Sequence, residues 1–275
     1  MPSPLVGEGV LPPVRAVARR RRRRGPLGNW RSAGASALAI LLGLLVWEIL
    51  SHAHVVAEYS LPSPHAVWME WWALSKRGIL WHHVYATVRV ALLGWALAFV
   101  IALGFAYPLA KSPLFASILA PYIAATQAMP ILALAPLLIV WFGLGLFSKT
   151  LICTVIVFFP MMVTFSVGLR TVDRTLVDAA ATEGAGRWRT LRHIELPLAL
   201  RTILAGVRMG LTLSMTGAIV SEFVAASAGL GYMMELGRNQ YDSPLVFAAA
   251  LTLVALAVVG YIVVGLLERV LIDWE

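Results

Sequence analysis

Long apolar runs dominate this chain, and short polar stretches separate them. Membrane β-strands alternate apolar and polar side chains over about ten residues. The runs here do not alternate, and about 20 mostly apolar residues are enough for a helix to cross a bilayer. The pattern therefore predicts an all-α membrane protein with about six transmembrane helices. The six runs are 33–50, 87–110, 118–144, 150–168, 203–222 and 245–267.

The composition agrees with residence in a membrane. Hydrophobic residues make up 60% of the chain and charged residues 13%, and the mean hydropathy is +0.81. The net charge of +8 could suit nucleic acid. However, the arginine run from Arg19 to Arg24 stands directly before an apolar run, and no soluble domain accompanies it. The charge therefore indicates anchoring at the cytoplasmic side of a membrane, with contact to anionic lipid as a further role for the run.

The distribution of lysine and arginine predicts the orientation, because these residues accumulate in cytoplasmic loops. With the N-terminus inside and six crossings, sixteen of them fall inside and four outside. We therefore expect both termini in the cytoplasm of a bacterial cell, with the protein crossing the plasma or inner membrane several times. Residues 1–32 are interpreted as a basic cytoplasmic tail, and residues 33–275 as the transmembrane domain.

One polar, arginine-rich segment interrupts the apolar pattern at about residues 170–200, and we call it the polar segment. The stretch from Thr175 to Thr182 favours a helix, with Asp178 near its start, where an acidic side chain stabilises free N–H groups. Gly184 then allows a turn. A second short helix is expected to end at Pro197 before the next span. Two interpretations remain open: a knob that fits a groove on a soluble partner, or an amphipathic helix that lies on the membrane.

The spacing within the polar segment resembles the loop through which permease subunits of bacterial ABC importers dock onto their ATPase. The family pattern is Glu-Ala-Ala, three residues, Gly, nine residues, Ile, one residue, Leu-Pro. Aspartate stands here in place of the usual glutamate. The matching residues are Asp178, Ala179, Ala180, Gly184, Ile194, Leu196 and Pro197.

Further fragments support the resemblance from Leu61 to the C-terminus, in particular 127–130, 158–160 and 229–231. The resemblance is to the branch that imports taurine, alkanesulfonates, nitrate or vitamin precursors. It implies the fold of a type I ABC importer permease. It also implies a second permease copy forming a homodimeric pathway, separate ABC ATPase subunits, and an external or lipid-anchored substrate-binding protein.

ATP hydrolysis is expected on a partner chain. A P-loop needs a lysine directly after its last glycine, and none of the three lysines follows a glycine. The chain is therefore interpreted as a transport subunit without catalytic residues or a cofactor. His82 and His83 adjoin without a nearby cysteine or acidic residue, so no metal site is predicted.

The residues that meet the solute are harder to predict. Polar or soft groups near helix centres or ends are candidates for the translocation pathway: Gln127, Met129, Thr216, Ser221 and Glu222. Glu222 has a competing interpretation at the external end of the fifth span, where water reaches it and it hydrogen-bonds the loop that carries Gly229 and Gly231. We interpret Arg89 and Arg208 as packing or headgroup contacts, in preference to a clamp for an anionic substrate.

The inner spans hold no lysine and few arginines, which favours a neutral or aromatic solute. The C-terminal pattern, including Asn239-Gln240 and Ser243-Pro244-Leu245, resembles permeases for vitamins or their precursors, with riboflavin and the hydroxymethylpyrimidine part of thiamine as candidates. A taurine, alkanesulfonate or nitrate importer is the alternative. An ATP-independent transporter or a membrane scaffold is a further alternative, although the third and fourth spans lack the ionisable residues that ion coupling uses.

Overall fold

The computed structural model describes residues 27–53, 60–128, 131–225 and 227–271. These ranges form helices joined by short turns and contain no strand, which confirms the all-α class. The helices are α1 (Leu27–His52), α2 (Pro64–Lys76), α3 (Ile79–Lys111), α4 (Pro113–Ala128), α5 (Ile131–Phe142), α6 (Leu146–Arg170), α7 (Arg174–Thr182), α8 (Arg187–Thr190), α9 (Leu196–Ala225), α10 (Leu230–Gln240) and α11 (Ser243–Leu271). A π-helical turn, Leu191–Glu195, joins α8 to α9.

Four helical stretches among the described residues are long and apolar enough to cross a membrane: Ile79–Lys111, Leu146–Arg170, Arg187–Val224 and Ser243–Leu266. Three shorter apolar helices accompany them, at Leu41–His52, Pro113–Thr126 and Ala133–Phe142. The predicted third span, 118–144, overlaps α4, which is described up to Ala128, and α5, which is described from Ile131. The residues between them, Met129 and Pro130, lie outside the described ranges.

The chain divides into two compact units, Met1–Trp47 and Glu48–Glu275. Helix α1 begins at Leu27, before the predicted boundary at residue 33, while the arginine run lies outside the described residues. The second unit holds the polar segment and all the candidate pathway residues.

Helices α3, α6 and α9 form the core of the second unit. Small residues recur along one buried face of α3, at Ala91, Gly94, Ala98, Ala102 and Ala106. Spacings of three and four keep them on one side of a helix, and small side chains allow the backbones of membrane helices to approach closely. The opposing side chains of α6 are larger and fully buried, among them Met161, Met162 and Phe165.

The three core helices approach one another closely around Cys153 of α6. A Cβ atom added to Gly94 would stand 2.5 Å from the Cys153 Sγ, and one added to Gly217 of α9 would stand 3.0 Å from the Cys153 Cα. Helices α3 and α9 therefore both rest directly on the backbone of α6 at this level. Cys153 itself is buried, and its thiol lies 3.4 Å from the carbonyl oxygen of Ser214.

Apart from the polar segment, α2 and α10 are short helices that lie outside the predicted spans. Helix α2 starts at a capping serine, Ser63, whose hydroxyl accepts from the Ala66 N–H, and Trp71 of α2 donates to the Thr252 hydroxyl of α11 at 3.0 Å. Helix α10 occupies part of 223–244, a stretch that the apolar pattern leaves as a loop between two spans. This helix is only eleven residues long, and glycines and polar residues such as Gly237 and Asn239 interrupt its apolar pattern, so the sequence did not reveal it.

Candidate coupling segment and polar contacts between the spans

The polar segment begins with α7, and its N-terminal cap is Asp173. The Thr175 N–H donates to Asp173 Oδ1 at 2.9 Å. Hydrogen bonds from the backbone N–H and the side chain of Thr175 hold the pKa of the Asp173 carboxyl below its ordinary value. The prediction that Asp178 stabilises the start of this helix is wrong: Asp178 is the fifth residue of α7, and the first turn contains no acidic side chain. The helix begins earlier than predicted because Asp173 supplies a cap.

Gly184 makes the turn after α7. Its φ is +80°, in the left-handed region that favours glycine. The Ala185 N–H returns to the Ala180 carbonyl at 2.9 Å, which is the hydrogen-bond pattern of a glycine-terminated helix. A Cβ atom added to Gly184 would meet no neighbour within 4 Å among the described atoms. The glycine is therefore required by its backbone angle and not by crowding within this chain.

The second part of the polar segment is continuous with the following span. Helix α8, the π turn and α9 follow one another without a break. The predicted interruption at Pro197 is therefore wrong. In the π turn the Leu196 N–H donates to the Leu191 carbonyl, five residues back instead of four. The α-helical hydrogen-bond pattern, which a proline would disturb, is therefore already replaced directly before Pro197.

The motif residues differ in their exposure. Asp178, Ala179 and Gly184 are exposed, whereas Ala180 is buried inside the segment. Ile194, Leu196 and Pro197 are half-buried where the segment joins α9. Trp188 is 70% exposed, whereas Leu191 and Ile194 are half-buried. The segment thus offers small side chains, a glycine turn and one large aromatic ring on its surface.

Two polar contacts join the polar segment and the end of α6 to the last turn of α3. The Lys111 ammonium lies 2.7 Å from Glu195 Oε1, and Glu195 is buried. The Arg170 guanidinium donates to the Leu109 carbonyl oxygen. Sequence reasoning missed Glu195, although its position between two apolar residues, Ile194 and Leu196, was a usable signal.

Glu222 forms a second polar site, between α3, α9 and α10. Its side chain is only 2% exposed, so the prediction that water reaches it is wrong. The Thr87 hydroxyl lies 2.9 and 3.0 Å from the two carboxylate oxygens, and the Gly231 N–H donates to Oε2 at 2.8 Å. The carboxylate thus hydrogen-bonds the loop that carries Gly229 and Gly231. A charge at the predicted water boundary is buried because α10 folds over it.

The same loop is held from α3 by two further side chains. Thr87 accepts from the Leu230 N–H at 2.8 Å, and His83 Nδ1 accepts from the Gly229 N–H at 3.0 Å. The sequence did not reveal His83 or Thr87, because neither belongs to a recognisable pattern. Three successive N–H groups at the start of α10, those of Gly229, Leu230 and Gly231, therefore all bind side chains from α3 and α9.

The other candidate pathway residues do not gather around Glu222. Ser221 is buried and its hydroxyl donates to the Ala218 carbonyl at 2.6 Å. Thr216 lies on the exposed side of α9, Gln127 lies in the last turn of α4, and Met129 is outside the described residues. Of the described candidates, only Ser221 and Glu222 are buried neighbours.

Arg208 of α9 packs against α11. Its guanidinium carbon lies 4.8 Å from the centre of the Tyr261 ring, and Nη1 lies 3.4 Å from the tyrosine hydroxyl. A cation over an aromatic face is a stabilising contact where water is scarce. Arg89, in contrast, is exposed on α3.

These features define a multi-pass helical membrane protein with a protruding polar segment between two of its spans. The family model "Binding-protein-dependent transport system inner membrane component" matches residues 98–272. The chain therefore belongs to this family, which confirms the resemblance carried by the polar segment. It is an inner-membrane transport permease subunit of an ABC importer.

Similar proteins are found at high coverage. The riboflavin transport system permease protein RibX of Chloroflexus aurantiacus is 42% identical, over 90% of this chain and 92% of RibX. The formylaminopyrimidine transport permease protein ThiX of Halalkalibacterium halodurans is 30% identical, over 86% of this chain and 94% of ThiX. The taurine transport system permease protein TauC of Escherichia coli is 28% identical, over 94% of this chain and 95% of TauC.

The fold is also similar to a solved transporter chain. A chain from an inward-facing structure of the MetNI methionine ABC transporter has a TM-score of 0.62 and 20% sequence identity. The match covers 68% of this chain and 94% of that chain. The likeness confirms the ABC importer permease fold.

Proposed function

We propose that this permease carries riboflavin, or a chemically related vitamin precursor, through the membrane. The identity to RibX, 42%, is well above the 28% identity to TauC over a comparable share of the chain. ThiX, which is named as a formylaminopyrimidine permease, is 30% identical. A heteroaromatic solute is therefore favoured over taurine, alkanesulfonate or nitrate.

ATP hydrolysis takes place, in this proposal, on separate ABC ATPase subunits that dock on the polar segment. The observation that carries it is the turn at Gly184. This turn is exposed, leaves open space around the glycine, and is flanked by the exposed Asp178 and Ala179. A partner groove can approach such a surface without clashing with side chains of this chain. The exposed Trp188 ring supplies apolar area next to the turn.

The arrangement with the polar segment and both termini in the cytoplasm follows from the distribution of positive charge. A substrate-binding protein, external or lipid-anchored, then delivers the solute to the opposite face, which carries α2 and α10. The basic tail, residues 1–32, contacts anionic lipid on the cytoplasmic side.

A second copy of this chain completes the pathway in this proposal. One face of α9 is exposed along its length, at Ala205, Met209, Thr212, Thr216 and Phe223. Their spacings of three, four and seven residues place them on one side of the helix. Two threonines on this face would give the pathway polar groups without fixed charge, which suits a neutral solute.

Uptake into a vitamin-import-deficient host tests the proposal. The chain is expressed with its cognate ATPase and binding protein, and labelled riboflavin, hydroxymethylpyrimidine and taurine are offered separately. ATP-dependent uptake of riboflavin or the pyrimidine, together with copurification of the ATPase, is the expected result. Uptake of taurine alone would overturn the substrate. Uptake without any bound ATPase would overturn the docking role and favour an ATP-independent transporter.

A further inference from the structure

The last turn of α3 is the meeting point of three elements of the chain. Lys111, the final residue of α3, contacts Glu195 of the π turn at 2.7 Å. Two residues earlier on the same helix, the Leu109 carbonyl accepts from Arg170, the final residue of α6. The end of α3 is therefore held by polar contacts from both ends of the polar segment, Arg170 at its start and Glu195 near its end.

The ion pair between Lys111 and Glu195 differs from an ordinary surface pair. The Glu195 side chain is only 4% exposed, and Lys111 is 35% exposed. Glu195 Oε2 is buried and has no hydrogen-bond partner among the described atoms. Lys111 is thus the one charged group that the described structure sets against this carboxylate. A buried charge that loses its partner is costly, whereas an exposed pair contributes little.

Glu195 lies where the polar segment joins α9, so the ion pair can transmit movement of the segment. Glu195 ends the π turn, which connects the exposed part of the polar segment to α9. A displacement of α8 reaches α9 directly because the helix is continuous. Helix α3 is not connected to α8 through the chain in this region. Leu191 and Val177 of the polar segment pack by apolar contacts against the core cluster to which α3 also belongs. Apolar contacts can slide, whereas a buried ion pair fixes the two backbones in one register.

We propose that the Lys111–Glu195 pair is a positioning contact that makes α3 move together with α9 when the ATPase displaces the polar segment. This inference rests on the proposed docking of an ATPase. Lys111 and Glu195 touch neither the solute nor the nucleotide; they act by transmitting displacement from the polar segment to a helix that lines the core.

The test uses the complete transporter reconstituted in liposomes. The variants are Glu195→Gln, Glu195→Asp, Lys111→Met and the charge swap Lys111→Glu with Glu195→Lys. Three quantities are measured: the amount of copurified ATPase, the rate of ATP hydrolysis and the rate of solute uptake. The pair between the exposed Arg238 and the half-buried Glu235 provides a control, Glu235→Gln, at an ion pair of similar length.

The single variants are expected to retain the ATPase and to hydrolyse ATP, while the ATP consumed per solute rises several-fold. The charge swap should bring this ratio back towards that of the wild type, and Glu235→Gln should leave it unchanged. A merely structural role would instead lower hydrolysis and uptake in parallel with the amount of folded complex, and this result overturns the inference. Glu195→Asp keeps the charge and shortens the side chain, so an unchanged ratio in a well-folded Glu195→Asp complex overturns it as well. Failure of the wild type to capture an ATPase would overturn the proposed docking, and the inference with it.

Discussion

Thr87 of α3 and Glu222 of α9 share a buried hydrogen bond that also fixes the start of α10. The Thr87 hydroxyl lies 2.9 and 3.0 Å from the two oxygens of Glu222 and accepts from the Leu230 N–H at 2.8 Å. One hydroxyl therefore both donates and accepts within a contact between three helices. Because the site is buried, none of these groups can replace a lost partner with bulk water.

Replacing Thr87 by valine keeps the size of the side chain and removes both hydrogen bonds. We expect a loss of about 1–3 kcal/mol for the buried groups left without partners, seen as a lower thermal midpoint of the purified protein in detergent. Glu235→Gln, at a partly exposed site in α10, is the matched control and should not shift the midpoint. Equal midpoints for Thr87→Val and the wild type would contradict a stabilising role.

Gly94 and Gly104 lie on the same helix, α3, and provide a matched pair. A Cβ at Gly94 would stand 2.5 and 2.6 Å from the Sγ and Cβ of Cys153, whereas one at Gly104 meets nothing within 4 Å among the described atoms. Gly94→Ala should therefore destabilise by about 1–3 kcal/mol through overpacking. Gly104→Ala should be neutral or slightly stabilising. Thermal unfolding of the two variants in detergent measures the difference, and similar midpoints would mean that α3 can shift away from α6.

Gly184 and Gly186 provide a second matched pair, in the polar segment. Both have open space around the Cβ position, but Gly184 has a φ of +80° and Gly186 a φ of −68°. Gly184→Val should therefore strain the turn, while Gly186→Val should not. We expect normal amounts of both variants in the membrane, with ATPase capture and uptake reduced only for Gly184→Val. Full uptake by Gly184→Val would count against docking at this turn.

Asp173 predicts a pH dependence at the start of α7. Its pKa is lowered by the hydrogen bonds from Thr175, so the cap contributes to the folded state above the ordinary pKa of an aspartate. The contribution is lost as the pH falls through the lowered pKa. Amide exchange at Thr175, normalised to an unstructured peptide, should accelerate in Asp173→Ala at neutral pH. Asp173→Asn keeps an acceptor that does not titrate, so its protection should not decline in acid; a decline would assign the effect to another group.

The basic tail predicts a defect in insertion and not in transport. Deletion of residues 1–24 removes the arginine run while leaving all the described helices intact. Because positive charge before a first span directs orientation, a fraction of the shortened protein should insert inverted. Labelling of a cysteine introduced at Ser75, from outside intact cells, measures that fraction. Loss of uptake in a shortened protein that is entirely inserted in the correct orientation would contradict this prediction.

The fold could be predicted from the sequence because the membrane imposes a simple rule on its helices. Long apolar runs have few alternatives in a bilayer, so α3, α6, α9 and α11 coincide with predicted spans. Helix α10 was not predicted, because short helices outside the membrane carry too little periodicity.

In the candidate sites, the residues that a spacing motif marks could be predicted, whereas those that depend on contacts between helices could not. The spacing of Asp178, Gly184 and Pro197 identified the polar segment, and the positive φ of Gly184 agrees with a required glycine. The buried contacts of Glu195 and Glu222 depend on Lys111 and Thr87, which lie 84 and 135 residues away in the chain. Neither partner has a local signal, because the contact arises only when α3 packs beside α9.

The length of the π turn at Leu191–Glu195 matters independently of which residues it contains. A π turn holds one residue more than an α-helical path, and one residue corresponds to about 100° of rotation about a helix axis. Deleting any single residue there would turn Trp188 and the glycine turn towards a different side of the molecule while α9 stayed in place. The number of residues in the π turn thus determines the direction in which Trp188 and the glycine turn face. A one-residue insertion or deletion in a relative could rotate this surface without replacing any side chain on it.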